Sequence, residues 1–180
     1  MKTVQPIRDK GDIEAMKRVL FKRCYRDYFL FTLGINTGLR ISDLLALKVS
    51  DVRGKSHIVI TEQKTGKLKR FRINNDLQEH ISKFTIHKDK AAYLFQSRRG
   101  QDRIHRVQAW KILNAAAKEV GLTEIGTHTL RKTFGYHFYQ QYKDVAVLQQ
   151  IFNHSSPAVT MRYIGITQDI IDEKVDNFTL

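Results

Sequence analysis

Apolar residues recur at helical spacing along most of this chain, and one stretch departs clearly from that period. In residues 11–24, for example, Ile13, Met16 and Leu20 would share one face of a helix. Between residues 56 and 73 the runs HIVIT and LKRFRI have the character of β-strands, and a turn signal, KTGK, separates them. We therefore predict a mainly α fold with a small antiparallel β-sheet, an α+β class in which residues 56–73 form the hairpin.

The same pattern, with its capping residues, gives an expected order of elements. We predict helices at residues 11–24, 25–33, 42–47, 75–84, 103–120, 128–141, 145–152, 157–163 and 169–178. A glycine-bearing connection is expected at residues 34–40 and a short strand at residues 93–96. Ser156 is a favourable N-cap and Pro157 suits the first helical position, so a short helix should present Tyr163 near its C-terminal end.

Positive charge dominates the chain and is unevenly distributed. Lys and Arg total 31 against 18 Asp and Glu, which gives a net charge of +13 and a pI near 9.9. Residues 161–180 carry two basic and four acidic side chains, which leaves +15 on residues 1–160. Such a surface favours a polyanionic partner, with nucleic acid as the leading candidate. The length suits a single compact domain spanning residues 1–180.

Several protein classes do not fit this sequence. The one cysteine, Cys24, allows neither an intrachain disulfide nor a cysteine-based zinc site, which favours a reducing cytoplasm. No signal-like apolar core begins the chain, and no apolar run approaches the roughly 18 residues of a membrane span. The histidines outside the motifs described below lack metal-ligand spacing with carboxylates, so no metal site is predicted. We expect a cytoplasmic protein with no membrane association.

Two clusters of basic residues are candidates for contacts with a nucleic-acid backbone. They comprise Lys67, Lys69 and Arg70 in the predicted hairpin, and Arg98, Arg99 and Arg103 before and at the start of the long helix. Either cluster is also compatible with an ordinary solvated face. The net charge favours contacts with phosphates, which would position the protein on a duplex without reading its sequence.

A set of residues suited to phosphodiester chemistry accompanies this charge. Breaking such a bond without a metal requires fixed cations around the non-bridging oxygens, a nucleophile, and an acid for the leaving 5′ oxygen. Arg40 and Arg131 are candidates for the cations, because a planar guanidinium binds phosphate oxygens bidentately and stays charged. His128 and Arg131 are three residues apart, which on a helix directs both side chains towards one target.

Four motifs, in order along nearly the whole chain, resemble the tyrosine recombinase family of the phage-integrase type. TGLRISDLLAL around Arg40 resembles the family's first arginine box, and HTLRKTF resembles its His-x-x-Arg box. Lys64 falls where the family places a β-turn lysine. NHSSPAVTMRY resembles the stretch from the second histidine to the nucleophile, with His154 nine residues before Tyr163. The resemblance implies the tyrosine recombinase catalytic-domain fold.

This resemblance implies a covalent reaction at Tyr163. The tyrosine would attack the scissile phosphate, form a 3′-phosphotyrosine and release a 5′ hydroxyl, with Lys64 protonating the leaving oxygen. Because other lysines lie close by, a phosphate contact or a solvated side chain is the alternative for Lys64. Rejoining would reverse the reaction with a 5′ hydroxyl from another strand, so that bond energy is conserved and no cofactor, ATP or Mg²⁺ is implied.

The resemblance also assigns roles to the groups around the nucleophile. Arg40 and Arg131 would stabilise the charge of the transition state, His128 would assist proton transfer with the tyrosine hydroxyl, and His154 would hydrogen-bond the phosphate. Asp43 would orient Arg40, although a role as a helix-start residue favoured by the macrodipole is compatible with this.

One position departs from the family's pattern. Where the family usually has Leu-Gly-His, this chain has Phe152-Asn153-His154. Asparagine tolerates the left-handed conformation that a helix-ending glycine commonly supplies. We therefore expect the substitution to preserve the shape of the backbone and the activity.

Partners and assembly follow from the same resemblance. The implied partner is duplex DNA, on which the family recombines as a tetramer, and a monomer is compatible with the free domain. Residues 168–180 form an acidic, amphipathic tail that is expected to dock on a neighbouring protomer. We expect the family's separate N-terminal core-binding domain to have no counterpart within these 180 residues. An excised domain and a naturally short member, similar to the fimbrial phase-variation invertases, are both compatible with that, and a bacterial or phage origin is implied.

A site-specific DNA recombinase or integrase is the function that the sequence favours, and two alternatives stand beside it. A type IB topoisomerase-like relaxing enzyme would share the chemistry but reseal the same strand, whereas a recombinase joins strands of two sites. A non-catalytic DNA-binding module would keep the fold without the reaction.

Overall fold

The computed structural model describes residues 4–179, and helices dominate that part of the chain. Within it, the nine α-helices are α1 (Lys10–Arg23), α2 (Tyr25–Thr37), α3 (Ile41–Ala46), α4 (Asn75–Thr85), α5 (Arg106–Glu119), α6 (Thr129–Tyr142), α7 (Val145–Phe152), α8 (Pro157–Ile164) and α9 (Ile166–Asp176). The two strands are β1 (His57–Thr61) and β2 (Leu68–Arg72). The predicted mainly α fold with a small antiparallel sheet is confirmed. Residues 1–3 and 180, which belong to the predicted domain and tail, lie outside the described residues.

The predicted hairpin is present, and one of its faces is buried. Strands β1 and β2 pair antiparallel, with Ile58 opposite Phe71 and Val59 opposite Arg70. Since successive side chains point to opposite faces of a strand, Ile58 and Phe71 both enter the core, while Val59 and Arg70 are exposed. The tip of the hairpin, residues 63–67, is exposed at the surface.

The region before α5 differs from the prediction. Residues 93–96 form no strand, since they make only isolated bridges to Lys48 and Arg103. A strand requires a partner that continues the ladder of hydrogen bonds, and each neighbour here pairs at one residue only. Helix α5 begins at Arg106 instead of residue 103, because the preceding residues form one of these bridges.

Helix α2 is longer than predicted: it does not end at residue 33 but continues through Gly34 to Thr37. A Cβ at Gly34 would lie 2.6 Å from Cδ1 of Leu130 in α6, so glycine here allows the two helices to approach closely. The helix ends at Gly38, whose φ of 63° is left-handed. The short connection that follows places Arg40 at the start of α3.

Helix α6 contributes to two hydrophobic clusters. The larger cluster contains residues from each of the helices α1 through α5 and from the hairpin, and α6 adds Leu130 to it. In the smaller cluster, Phe152 of α7 and Ile164 of α8 are fully buried, with Phe134 of α6 packed against them. Burial of each such side chain contributes roughly 1.5–3 kcal/mol. Because α6 belongs to both clusters, it connects the first half of the chain to α7 and α8.

The N-terminal segment lies across α6. The backbone N–H of Ile7 donates to Oγ1 of Thr133 at 2.9 Å, and the carbonyl oxygen of Ile7 lies 2.9 Å from Nε2 of His137. Next to these contacts, Arg8 forms an ion pair with Asp169 of α9 at 2.9 Å. The beginning of the described chain therefore contacts its last helix.

The predicted tail helix is present as α9, and its apolar side chains are largely uncovered. Ile171, Val175 and Phe178 are 48%, 64% and 69% exposed. The tail contacts α8 and, through Asp169, the N-terminal segment. Among the residues described, no helix combines the length and the apolar character needed to cross a bilayer.

We expect Gly135→Ala to destabilise the protein by about 1–3 kcal/mol, the usual cost of overpacking a core. A Cβ at Gly135 would lie 2.7 Å from side-chain atoms of Phe152 and Ile164. Alanine otherwise favours a helix interior by up to ~1 kcal/mol, so a loss of stability would report packing and not helix propensity. Urea denaturation measures the change, with Gly100→Ala as the control because a Cβ there meets open space. Unchanged stability of Gly135→Ala would contradict the close packing of α6 on α7 and α8.

Candidate active site

Arg40 lies at the beginning of α3, where a carboxylate from the hairpin holds it. It is the N-cap residue of α3, two residues after the left-handed Gly38. Its Nη1 forms an ion pair with Oε1 of Glu62, which follows β1 and is 1% exposed. The Arg40 side chain is 18% exposed, so it is not fully enclosed by its ion pair with Glu62.

Arg131, on the first turn of α6, is a buried cation that joins distant segments. Its Nη1 donates to the carbonyl oxygen of Gly38 at 2.5 Å, and its Nη2 donates to that of Phe152 at 2.9 Å. The guanidinium also lies over the Phe152 ring, 4.2 Å from the centroid. Burial lowers the pKa of Arg131 to about 10, an effect that the neighbouring Tyr163 opposes and Arg40 reinforces. The side chain still carries its charge at neutral pH.

The capped helix predicted before the tyrosine is present. Ser156 is the N-cap of α8, and its Oγ accepts the N–H of Val159 at 3.3 Å. Pro157 occupies the first turn, and the left-handed Gly165 ends the helix. Tyr163 is thus held one residue before the end of a rigid helix of eight residues.

The Tyr163 ring packs among charged and aromatic groups. It meets the rings of His154 and Phe152 edge to face, with centroid separations of 5.1 and 5.6 Å. Nζ of Lys132 lies 5.2 Å from the centroid of the Tyr163 ring. Burial raises the pKa of Tyr163, and the positive charges of the two site arginines oppose that rise. The phenol is therefore protonated at neutral pH and close to both arginines.

His154 follows the end of α7 and is held by a threonine of α8. Asn153 adopts the left-handed conformation, with φ 55° and ψ 46°, and ends α7 as expected. Nδ1 of His154 lies 3.0 Å from Oγ1 of Thr160, which leaves Nε2 for another partner. Burial, reinforced by Arg131, lowers the pKa of His154 to about 4, so the ring is neutral at pH 7.

His128 is the N-cap residue of α6, and its side chain is exposed. Its pKa is lowered from the ordinary 6.5, first by partial burial and then by the positive charges of Arg106, Lys132, Arg131 and Lys64. The imidazole is therefore neutral at pH 7 and able to accept a proton.

Lys64 differs from its neighbours in the hairpin. Nζ of Lys67 donates to Oδ1 of Asn153 at 3.2 Å, and Nζ of Lys69 donates to the carbonyl oxygen of Gln150 at 2.6 Å. Lys64 makes no hydrogen bond or ion pair with residues 4–179, and its charge lowers the pKa of both site histidines. The lysine at the exposed tip is thus near enough to both site histidines for its charge to act on them, while the other two attach the hairpin to α7.

The predicted contact between Asp43 and Arg40 is not the one that the structure shows. Oδ1 of Asp43 accepts the backbone N–H of Gln63 at 3.1 Å, and Glu62 is the ion-pair partner of Arg40. Arg40 has extended backbone angles, φ −65° and ψ 145°, so the three-residue helical spacing that would bring it over Asp43 does not apply. Sequence reasoning missed Glu62; the available signal was an acidic residue directly after an apolar strand.

The predicted DNA-contact residues lie in two places. They are Lys67, Lys69 and Arg70 on the hairpin, and Arg98, Arg99 and Arg103 in the loop before α5. Arg98 and Arg99 line a surface cleft with Arg26 and with Lys111 of α5. Arg106, at the start of the same helix, is close enough to His128 to lower its pKa. The loop cluster therefore continues towards the candidate active site along α5.

We expect the protein to lose stability as the pH falls from 6.5 towards 4. His154 has a lower pKa folded than unfolded, so in that window the unfolded chain binds protons more readily and the stabilisation present above pH 6.5 is lost. Allowing for partial exposure, the effect is on the order of 1–2 kcal/mol. Thermal unfolding at several pH values measures it, and His154→Gln should flatten the dependence. The exposed His87→Gln is the control, and an equally steep dependence in His154→Gln would contradict the assignment.

Comparisons with known proteins agree with this arrangement. Residues 12–169 match the model of the phage integrase family. The probable integrase/recombinase YoeC of Bacillus subtilis (strain 168) is 53% identical over 169 residues, which cover 94% of this chain and 93% of YoeC. The crystal structure of XerA recombinase has a TM-score of 0.76 and 21% identity, covering 97% of this chain and 64% of that one. XerH recombinase, in a post-cleavage complex with palindromic difH substrate, has a TM-score of 0.72 and 19% identity, covering 97% and 53%.

The chain thus spans between half and two thirds of the length of these two solved recombinases. Because the identity is low, the similarity to these two structures shows the fold alone. The family is shown by the sequence matches. The family model covers most of the chain, and YoeC is matched over nearly its whole length. This protein belongs to the phage integrase family, the tyrosine recombinases.

Proposed function

We propose that this chain is the catalytic domain of a site-specific DNA recombinase or integrase that cleaves and rejoins duplex DNA through a 3′-phosphotyrosine. One observation carries the proposal: the Arg131 guanidinium and the Tyr163 ring both pack on the ring of Phe152, 4.2 and 5.6 Å from its centroid, so a cation for the phosphate lies next to the candidate nucleophile. The charges of Arg131 and Arg40 both oppose the rise in the pKa of Tyr163. These three residues come from parts of the chain far apart in sequence: Arg40 directly before α3, Arg131 in α6 and Tyr163 in α8. Such convergence is what a phosphoryl-transfer site requires.

The two arginines form the clamp. Each keeps N–H donors for the phosphate, because a guanidinium has five: Arg131 donates one from Nη1 and one from Nη2 to carbonyl oxygens, and Arg40 is paired through Nη1. Fixed donors of this kind stabilise the charge that grows on the non-bridging oxygens in the transition state. Backbone carbonyls and a buried carboxylate hold them in advance, so little reorganisation is needed when DNA arrives.

The reaction transfers one proton at each end of the phosphate. Oη of Tyr163 attacks phosphorus while the bond from phosphorus to the 5′ oxygen breaks. The phenolic proton passes to His128, whose lowered pKa keeps it neutral and able to accept. Lys64 gives a proton to the departing 5′ oxygen. Rejoining runs these steps backwards with a 5′ hydroxyl from another strand, so neither ATP nor a cofactor enters the balance.

His154 supports the clamp on the nucleophile's side. Thr160 fixes its Nδ1, and the ring packs on Tyr163, so Nε2 is available to a phosphate oxygen. A bound phosphate would raise the pKa of the imidazole, because a negative charge favours the protonated form. The histidine would then add a positive charge only when substrate is present.

Duplex DNA would lie along the basic surface that joins the two clusters. The hairpin contributes Lys67, Lys69 and Arg70, and the loop before α5 contributes Arg98, Arg99 and Arg103. Contacts of this type supply affinity that depends strongly on salt and set the register of the duplex at the pocket. XerH, which shares the fold, was solved on its DNA substrate.

Assembly and setting belong to the same proposal. The exposed apolar side chains of the tail, Ile171 and Val175 in α9 and Phe178 after it, suit docking of residues 168–180 on a neighbouring protomer within a tetramer on DNA. The single domain of residues 1–180 would act on DNA in the cytoplasm. Asp43, whose Oδ1 holds Gln63 next to Lys64, would support the hairpin turn.

Tyr163→Phe should abolish covalent trapping on a nicked suicide substrate, because the attacking oxygen is removed. The adduct is measured by denaturing gel electrophoresis, and we expect a loss of at least about 10³-fold, as for removal of a covalent nucleophile. Tyr142→Phe, at an exposed tyrosine outside the pocket, is the matched control and should trap DNA normally. Adduct formation by Tyr163→Phe would reject the nucleophile, and resealing without exchange between two sites would favour a topoisomerase.

Deleting residues 168–180 should leave adduct formation on an isolated site intact and reduce the pairing of two sites. A loss of about tenfold corresponds to ~1.4 kcal/mol of lost apolar contact. Exchanging Val175 and Phe178 for serine tests the apolar side alone, since the ion pair of Arg8 with Asp169 is kept. Gel-shift assays of paired sites measure the effect, and unchanged synapsis by both variants would refute the tail's role.

A further inference from the structure

Glu62 is a buried carboxylate at the centre of the candidate site, yet no step of the reaction above uses it. Its side chain is 1% exposed. Burying a charge is costly unless partners compensate, so the contacts of this side chain indicate what it does. Both of its oxygens are used: Oε1 pairs with Nη1 of Arg40, and Oε2 accepts the hydroxyl of Thr65 at 2.7 Å.

The backbone of the same residue closes the turn that carries Lys64. The N–H of Glu62 donates to the carbonyl oxygen of Lys67 at 3.0 Å, and the N–H of Gly66 donates to the carbonyl oxygen of Glu62 at 2.8 Å. Gly66 has a φ of 66°, the left-handed conformation that such a tight turn requires. Lys64 therefore lies in a turn that is closed by hydrogen bonds with Glu62, made by the backbone of Gly66 and Lys67 and by the side chain of Thr65.

We propose that Glu62 is a positioning residue that couples Arg40 to the turn carrying Lys64, so that the phosphate clamp and the leaving-group acid are placed together. The proposal rests on the function proposed above. It predicts that disturbing either end of the link disturbs the other, although Arg40 and the turn belong to separate elements.

The charge of Glu62 has a second consequence for the clamp. Arg40 lowers the pKa of Arg131, since two neighbouring cations repel, whereas Glu62 and Asp43 raise it. The buried carboxylates thus allow two guanidinium groups to lie close together before a phosphate arrives. Among residues 4–179, the ion pair with Glu62 is made through Nη1 of Arg40, which leaves the other N–H donors of the guanidinium for the substrate.

Single-turnover cleavage of two suicide substrates tests the link. In one the leaving atom is the natural 5′ oxygen; in the other it is sulfur, which departs as a thiolate and needs no proton from an acid. Thr65→Val removes the bond from the Thr65 hydroxyl to Glu62 together with the long contact, 3.4 Å, that this hydroxyl accepts from the Lys67 N–H within the same turn. It should slow the oxygen substrate about tenfold and leave the sulfur substrate unchanged. Glu62→Gln should slow the oxygen substrate about 10- to 100-fold and the sulfur substrate by less, since Arg40 is also displaced.

The control is Glu14→Gln, at a solvent-exposed pair with Lys17, which should cleave both substrates at the wild-type rate. A carboxylate that only stabilised the fold would, when replaced, slow both substrates by the same factor. The proposal is overturned by that result, and equally by wild-type rates for Glu62→Gln on both substrates.

Amide hydrogen exchange in the intact chain gives a readout that does not depend on DNA cleavage. Arg40→Gln and Glu62→Gln should each speed exchange of the Gly66 and Lys67 amides by about tenfold, while the turn around Gly54 stays unchanged as an internal reference. Unchanged exchange at Gly66 in both variants overturns the coupling. If the wild-type protein traps neither substrate, the proposed function fails, and the exchange result still decides the coupling on its own.

Discussion

The site depends on one buried guanidinium and the two carbonyl oxygens that it binds. Arg131 donates to Gly38, where α2 gives way to α3, and to Phe152, where α7 ends. Hydrogen bonds from a charged donor contribute about 1.5–3 kcal/mol each, which offsets the cost of burying the charge. These bonds hold the segment before Arg40 and the segment before His154 on either side of α6. Without the Arg131 side chain, the segment before Arg40 and the segment before His154 would each lose a hydrogen bond to α6.

Burial sets the protonation of the remaining groups. It raises the pKa of Tyr163 and lowers those of His128 and His154, so in the protein without DNA the phenol and both imidazoles are neutral. The permanent charges belong to the arginines, which Glu62 and Asp43 compensate from behind. A phosphate would reverse this balance locally, since a negative charge favours the protonated histidine. The arginines are thus charged with or without a phosphate, whereas the histidines would gain charge only beside one.

Local signals in the sequence predict much of this arrangement. The change of period around residues 56–73 indicates the hairpin, and Ser156 with Pro157 indicates the helix that holds Tyr163, because both signals act within a few residues. The family resemblance gave Asp43 as the partner of Arg40, whereas the ion-pair partner in the structure is Glu62. The pairing with Glu62 depends on how the hairpin docks on α3, which is a long-range contact that no local pattern contains. Likewise, residues 93–96 have strand-like composition but no continuous partner.

Asn153 has a consequence that reaches beyond the end of α7. A glycine would adopt the left-handed backbone with less strain, but it has no side chain, whereas Oδ1 of Asn153 accepts the Lys67 ammonium at 3.2 Å. Together with the bond from Lys69 to Gln150, this contact fastens the outer half of the hairpin to the helix that precedes His154. The freedom of the hairpin tip to swing over a scissile phosphate is therefore governed from outside the hairpin. In this chain, Asn153 both ends α7 and binds the hairpin through Lys67.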